Sequence, residues 1–136
     1  NDYVRGGEGI DRLYGEAGED IMVGNGERDT LYGGADADIF ALSDIAGTYD
    51  RFADFNLIEG DTINVTDVLT GYTDGVDDIN DFVNFIDQGG ATSMMISANG
   101  DGNFTYAAQI FGNALDGLSV NDLIAQNDLI VNSSAL

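Results

Sequence analysis

The sequence predicts an all-β chain: a right-handed parallel β-roll over residues 1–41, then a small, mostly antiparallel β capping region with short helices. Three observations predict it. Asp2, Asp11, Asp20, Asp29 and Asp38 recur every nine residues, and an apolar residue (Val4, Leu13, Met22, Leu31, Phe40) stands two places after each. Glycine opens each complete period, at Gly6, Gly15, Gly24 and Gly33. Further on, the turn signal Asn99-Gly100-Asp101-Gly102 separates two apolar segments, as in a β-hairpin.

The composition narrows the chemistry before any motif is read. Twenty-five acidic residues face four arginines, with no lysine and no histidine, for a net charge of −21. Such a chain repels nucleic acid and anionic membrane. It is nevertheless 43% hydrophobic, with seven Phe and six Tyr, which is too apolar for a disordered acidic tail. Without cysteine there are no disulfides or thiolate sites, and without histidine zinc is poorly served. Oxygen ligands remain, and they favour calcium. A length of 136 residues suits one domain or one and a half. No apolar run approaches the ~20 residues that span a bilayer, so no membrane insertion is expected.

In each nonapeptide the glycine-rich six residues can turn and the last three can form a short strand with the apolar residue inward. Two copies make one coil, so copies eighteen residues apart stack. Asp2, Asp20 and Asp38 then share one edge, and Asp11 and Asp29 the other. Carboxylates one strand spacing apart, ~4.8 Å, repel unless a cation lies between them. Calcium accepts six to eight oxygens in flexible geometry, so two carboxylates and several carbonyls complete a site.

The copy Gly6-Gly7-Glu8-Gly9-Ile10-Asp11-Arg12-Leu13-Tyr14 resembles the calcium-binding nonapeptide of RTX proteins. That resemblance implies the ligand sets. One joins the carbonyls of Gly7 and Gly9 and the Asp11 carboxylate to Gly24, Gly26 and Asp29. The opposite edge joins Glu16, Gly18 and Asp20 to Gly33, Ala35 and Asp38. A third, incomplete set is Asp2 with Gly15, Ala17 and Asp20; Asn25, Glu27, Gly34 and Asp36 are further carbonyl candidates. The departures from glycine are Glu16 and Asn25 at the second position and Glu27 and Asp36 at the fourth. Asn and Asp tolerate positive φ better than Glu does, so the turn containing Glu27 is the least secure. Asn1 to Arg5 reads as the tail of a fifth nonapeptide, so a piece of a longer protein, monomeric on its own, is expected.

Residues flanking the inward position face outward. One face carries Tyr3, Ile21, Val23, Ile39 and Ala41, apolar enough to need a cover from the C-terminal part or a partner. The other carries Arg12, Tyr14, Thr30 and Tyr32. Tyr14 and Tyr32 form a ladder that could stack on a sugar ring or simply pair across strands.

Residues 42–72 are expected to end the roll. Tyr49 to Phe55 and Gly60 to Val65 read as strands. They are similar to the D-x-I-x-D-F and D-x-I-x-L segments that follow the roll in secreted RTX metalloproteases and adhesins. The similarity implies calcium ligation by Asp50 and Asp61, and by Asp44 beside them. A short helical turn over Val65 to Leu69 would be capped by Thr66 or Asn64.

Over residues 73–136, Gly71 to Gly75 reads as a loop and Val76 to Asp81 as a brief helix. Phe82 to Ile86, Thr92 to Ser97 and Phe104 to Phe111 then read as a small antiparallel sheet. Ser97 to Gly102 has the alternating oxygens of a calcium loop but lacks its acidic twelfth position, which favours a plain turn. Ser119 caps a helix, and Leu129 to Val131 forms a last strand before an uncharged tail. From Asp81 onward this order resembles the C-terminal target domain of large RTX adhesins exported by type I secretion. Three glycosylation sequons, the last at Asn132-Ser133-Ser134, are read as chance matches.

Nothing in the sequence supports an enzyme: there is no His, no Cys and no G-x-S-x-G turn. The resemblance implies a calcium-dependent folding and export module of a secreted or cell-surface bacterial protein. Its partners would be calcium and a type I apparatus of ABC transporter and membrane fusion protein. The alternatives are a glycan- or surface-binding module of an adhesin, or the C-terminal domain of an RTX enzyme whose catalytic part lies elsewhere.

Overall fold

A computed structural model of the chain describes residues 1–45, 48–111, 115 and 117–131. The C-terminal tail with its sequon lies outside the described residues. Each nonapeptide yields one strand: β1 (Tyr3–Arg5), β2 (Arg12–Ala17), β3 (Ile21–Val23), β4 (Thr30–Ala35) and β5 (Ile39–Ala41). They alternate between two parallel sheets, so Leu13 stands beside Leu31, and Met22 between Val4 and Phe40. Met22, Leu31 and Phe40 are fully buried between the sheets.

The parallel coils continue past residue 41 without the glycine motif. The strands β6 (Asp50–Phe52) and β7 (Thr62–Asn64) join β4 and β5, with Phe52 against Leu31 and Ile63 against Phe40. A 3₁₀ turn follows at Thr66–Val68, and Asn64 Oδ1 accepts from Thr66 N–H at 3.0 Å beside it. The expected helix over Val76 to Asp81 shrinks to a 3₁₀ turn at Ile79–Asp81, capped by Asp78.

The three segments read as an antiparallel sheet are β8 (Val83–Asp87), β9 (Ala91–Ile96) and β10 (Thr105–Phe111). They do not form a separate sheet. β10 runs parallel to β6, placing Ile110 beside Phe52, so the antiparallel strands prolong the second sheet of the roll. A bulge between Tyr106 and Ala108 turns both Ala107 and Ala108 inward. The turn at 97–103 is fastened by Asp101, whose carboxylate accepts from Ser97 Oγ, Asn103 N–H and Asn103 Nδ2.

Helix α1 (Val120–Ala125) begins with a capping box between Ser119 and Asp122. It leads into β11 (Leu129–Ile130), which runs parallel to β7 and completes the first sheet in the order β1-β3-β5-β7-β11. The second sheet is ordered β2-β4-β6-β10-β9-β8.

Among the described residues the C-terminal half extends the roll at its end and leaves part of the outer apolar face exposed, where the expectation was a cover from this half or from a partner. Tyr3 and Ile21 remain 61% and 37% exposed, while Val23 is buried. The reason is backbone pairing: the open edges of β6 and β7 offer unpaired hydrogen-bonding groups, which a side-chain face does not. One hydrophobic cluster runs from Leu13 through Phe52 and Ile110 to Leu123 and Leu129. No helix among the described residues is long and apolar enough to cross a membrane.

Phe52 joins the repeat to the rest, since its ring packs 5.0 Å from that of Phe40 and stands in register with Leu31 and Ile110. Phe52→Ala is expected to cost ~3–5 kcal/mol of stability in calcium-saturated buffer. Denaturant unfolding measures it, and a loss below about 1 kcal/mol would show that the two halves do not share a core.

Candidate metal centre

Each Asp of the repeat stands one residue before its strand, so its backbone N–H faces the neighbouring coil. The same hydrogen bond then recurs up each edge of the roll. On one edge Asp2 N–H donates to Asp20 Oδ1, Asp20 to Asp38 at 2.9 Å, and Asp38 to Asp61 at 2.9 Å. On the other, Asp11 donates to Asp29 at 2.7 Å and Asp29 to Asp50 at 3.0 Å. The two columns are those expected from the nine-residue period, each lengthened by one Asp from outside it.

The bond occupies only Oδ1. The second oxygen, Oδ2, of Asp11, Asp20, Asp29 and Asp38 is buried and accepts nothing. Asp20, Asp29 and Asp38 are only 1%, 0% and 1% exposed, and no described arginine pairs with them. A buried anionic oxygen without a donor is unfavourable by several kcal/mol, so the set fits a cation.

The opening glycines leave the space for one. A side chain at Gly6 would fall within 2.8 Å of both the Gly24 carbonyl and Asp11 Oδ2. At Gly15 it would fall within 2.7 Å of the Gly33 carbonyl and Asp20 Oδ2. Carbonyl and carboxylate oxygens from stacked turns thus converge on one point, in the pairs named for the two complete ligand sets. A side chain at Gly24 would meet Oδ2 of both Asp29 and Asp50, which sets those two oxygens side by side.

Other members of the sets are placed by the backbone. Glu16 stands opposite Gly34, and Ala17 opposite Ala35. Positive φ falls at the second and fourth positions in three turns: Gly7 and Gly9, Glu16 and Gly18, Gly34 and Asp36. In the third turn it falls on Asn25 and Gly26 instead, with φ of 60° and 54°. The glycine at position three takes the strained conformation and Glu27 is spared it. Gly26 in turn lies against the Gly7 carbonyl.

At the roll's end the three aspartates differ. Asp50 continues its column. Asp44 is half-buried and close enough for its charge to act on Asp29 and Asp50. Asp61 differs in its hydrogen bonding: Oδ1 accepts from Asp38 N–H and Oδ2 from Asn56 N–H at 2.8 Å. Both oxygens are engaged, as in a cap. Asp54 escaped the sequence reading. Its two oxygens accept from the N–H groups of Gly33 and Gly34 at 2.8 and 3.1 Å, closing the last glycine turn as a further coil would. Its place in the Asp-Phe pair at 54–55 was the available signal.

Burial sets the electrostatics. It pushes the carboxyl of Asp50 up to about 7 and that of Asp61 up to about 6, against the lowering by their N–H donors and with added repulsion from Asp29 and Asp38 respectively. Asp29 and Asp38 are raised for the same reason, burial first. Among the described residues no group of three or more acidic side chains is arranged to hold a metal ion without backbone help. Tyr14 and Tyr32 stack on the outer face of the second sheet, 4.8 Å apart and within 6° of parallel.

Comparison with known proteins agrees with this architecture. The RTX calcium-binding nonapeptide repeat (four copies) matches residues 1–31 and 20–43. The solution structure of the AlgE6R3 subunit from the Azotobacter vinelandii mannuronan C5-epimerase superposes with a TM-score of 0.56 at 23% identity. The match covers 95% of this chain and 77% of that one, and at such identity it is a likeness of fold. No curated protein sequence matches the chain. Residues 1–43 thus match RTX calcium-binding nonapeptide repeats, a kind of repeat found in secreted proteins that binds several calcium ions per domain, and here they form a parallel β-roll.

Proposed function

We propose that the chain is a calcium-triggered folding and export module of a secreted RTX protein of the adhesin type. The observation that carries this reading is the set of four buried Oδ2 atoms without a donor. Asp11 with Asp29 and Asp20 with Asp38 would hold calcium together with the turn carbonyls already named, and Asp29 with Asp50, flanked by Asp44, would form an end site. Among the described residues no three acidic side chains are arranged to hold a metal by themselves, so backbone carbonyls would make up the rest of each shell. Bound calcium would neutralise the facing carboxylates of stacked coils.

The switch follows from charge. In a cytoplasm poor in free calcium, a net charge of −21 opposes compaction, which suits threading through a type I channel. Outside, sites of roughly 10⁻⁴ to 10⁻³ M affinity fill. Each adds ~1.4–2.7 kcal/mol when free calcium exceeds its Kd ~10- to 100-fold, so several suffice to fold a marginal domain. Folding there also opposes backsliding. Residues 1–41 act as the calcium nucleus, 42–72 as its termination, and 73–136 as the target region that completes both sheets. No catalytic role is assigned to this chain.

Circular dichroism with and without millimolar calcium tests the switch, and a β signal that survives chelation would sink it. Asp29→Asn is expected to lower the calcium stoichiometry by at least one ion, because Asp29 belongs to two pairs. Asp61→Asn should reduce stability at unchanged stoichiometry; calorimetric titration of both variants separates ligand from cap.

Acidity supplies a second check. Asp50 in the folded chain holds a proton up to about pH 7, while its ordinary value is 3.8. Between those values the folded state binds the extra proton, so stability in chelator falls as pH rises through this window. Thermal unfolding of the chelated chain at about pH 4.5 and 7.5 should show the higher Tm at acid pH, whereas calcium binding should weaken there as protons compete. For export, deleting residues 81–136 should leave the protein inside cells that carry the transporter; if it still reaches the medium, the target-region reading fails.

A further inference from the structure

Three of the chain's four arginines, Arg12, Arg28 and Arg51, line one open groove of about 870 Å³ on the outer face of the second sheet. Arg12, Thr30 and Arg51 stand in a single cross-strand row, which puts the two arginines two strand spacings, ~10 Å, apart. Arg28 lies over the Tyr49 ring at 4.7 Å and Arg51 over the Phe111 ring at 5.9 Å. Such contacts fix the position of a guanidinium, and the Nε of Arg51 is buried without a hydrogen-bond partner.

None of the three pairs with a described carboxylate, although Asp11 and Glu27 line the same groove. In a chain with 25 acidic residues, arginines so arranged are oriented for something other than internal ion pairs. Two residues farther along the same strands, on the same face, Tyr14 and Tyr32 extend the row as an aromatic platform, with Tyr14 56% exposed.

We propose that this groove binds an acidic glycan, a chain of sugar rings bearing carboxylates. The guanidinium forks suit carboxylate oxygens, and the flat tyrosine surface suits the apolar face of a pyranose ring. Nucleic acid is the poorer occupant, because one charge per ~1.7 Å of duplex meets the repulsion of a chain at −21, whereas uronate charges are sparser. The calcium edge adjoins the groove directly, since Asp11 and Asp50 immediately precede Arg12 and Arg51. Occupancy of that edge fixes the strands that carry the arginines and screens the carboxylate beside them. This coupling rests on the calcium reading above.

The test is calorimetric titration of the calcium-saturated chain, its β signal verified first, with a short oligouronate, its carboxyl-reduced neutral counterpart and an oligonucleotide of similar length. The oligouronate should bind at least about tenfold more tightly than either. Arg12→Gln, at an exposed position outside the core, should weaken binding about tenfold with the calcium midpoint unchanged. Arg51→Lys should not behave like wild type, because it keeps the charge and loses the fork. A chain that folds with calcium yet binds no oligouronate overturns the proposal and leaves the calcium reading standing. Equal affinity for the neutral sugar, preference for the oligonucleotide, or an unaltered Arg12→Gln also overturns it.

Discussion

The fold rests on one repeated contact, the hydrogen bond from an aspartate N–H to Oδ1 of the aspartate one coil further on. It sets the register between coils, and by using one oxygen it leaves the other buried without a partner. The feature that aligns the roll is thus the one that leaves oxygens placed for a cation. Two unit charges at strand spacing repel by roughly 1 kcal/mol in water and by several where the surroundings exclude it. Glycine at each turn opening is the complement, because any side chain there would occupy the point where the oxygens converge.

The second constraint is the apolar column inside. Val4, Met22 and Phe40 continue into Ile63 and Leu129 on one sheet, and Leu13 and Leu31 into Phe52 and Ile110 on the other. Residues outside the repeat therefore finish a core that the repeat begins. The order of the sheets gives the physical reason. A roll that stopped at β4 and β5 would present two bare parallel edges, and such edges invite pairing with other chains. β6 and β7 add one coil, and β10 and β11 another, before the antiparallel β8 and β9 turn the second sheet away from simple stacking.

The candidate site was legible wherever it was periodic. The two aspartate columns follow from counting nine and eighteen, and the pairing of Gly24 with Asp11 and of Gly33 with Asp20 from the resemblance to the RTX nonapeptide. Where the period lapses, reading by residue type is weaker. Asp50 and Asp61 look alike in sequence, each opening a strand, yet one has an oxygen facing Asp29 and the other has both oxygens engaged by backbone N–H groups. Asp54 was passed over because a turn-capping carboxylate is recognised by the turn it reaches, twenty-one residues away from it at Gly33. The third glycine turn differs for a local reason, since its glycine sits one position early and the positive φ moves with it.

The sequence by itself determined the nine-residue unit, which residues point inward, the sign of the charge at both edges and the short strands of the C-terminal half. Those properties depend on neighbours within a few residues, where backbone sterics and hydrophobic pattern act. Only the tertiary structure decided that β10 and β11 run parallel on the ends of the roll, leaving Tyr3 and Ile21 in solvent. It also gathered Arg12, Arg28 and Arg51 on one groove. Strand order is set by which edges are left unpaired once the coils have stacked, and that depends on contacts across more than fifty residues of chain, from Asp50 to Ala108, which no local pattern encodes.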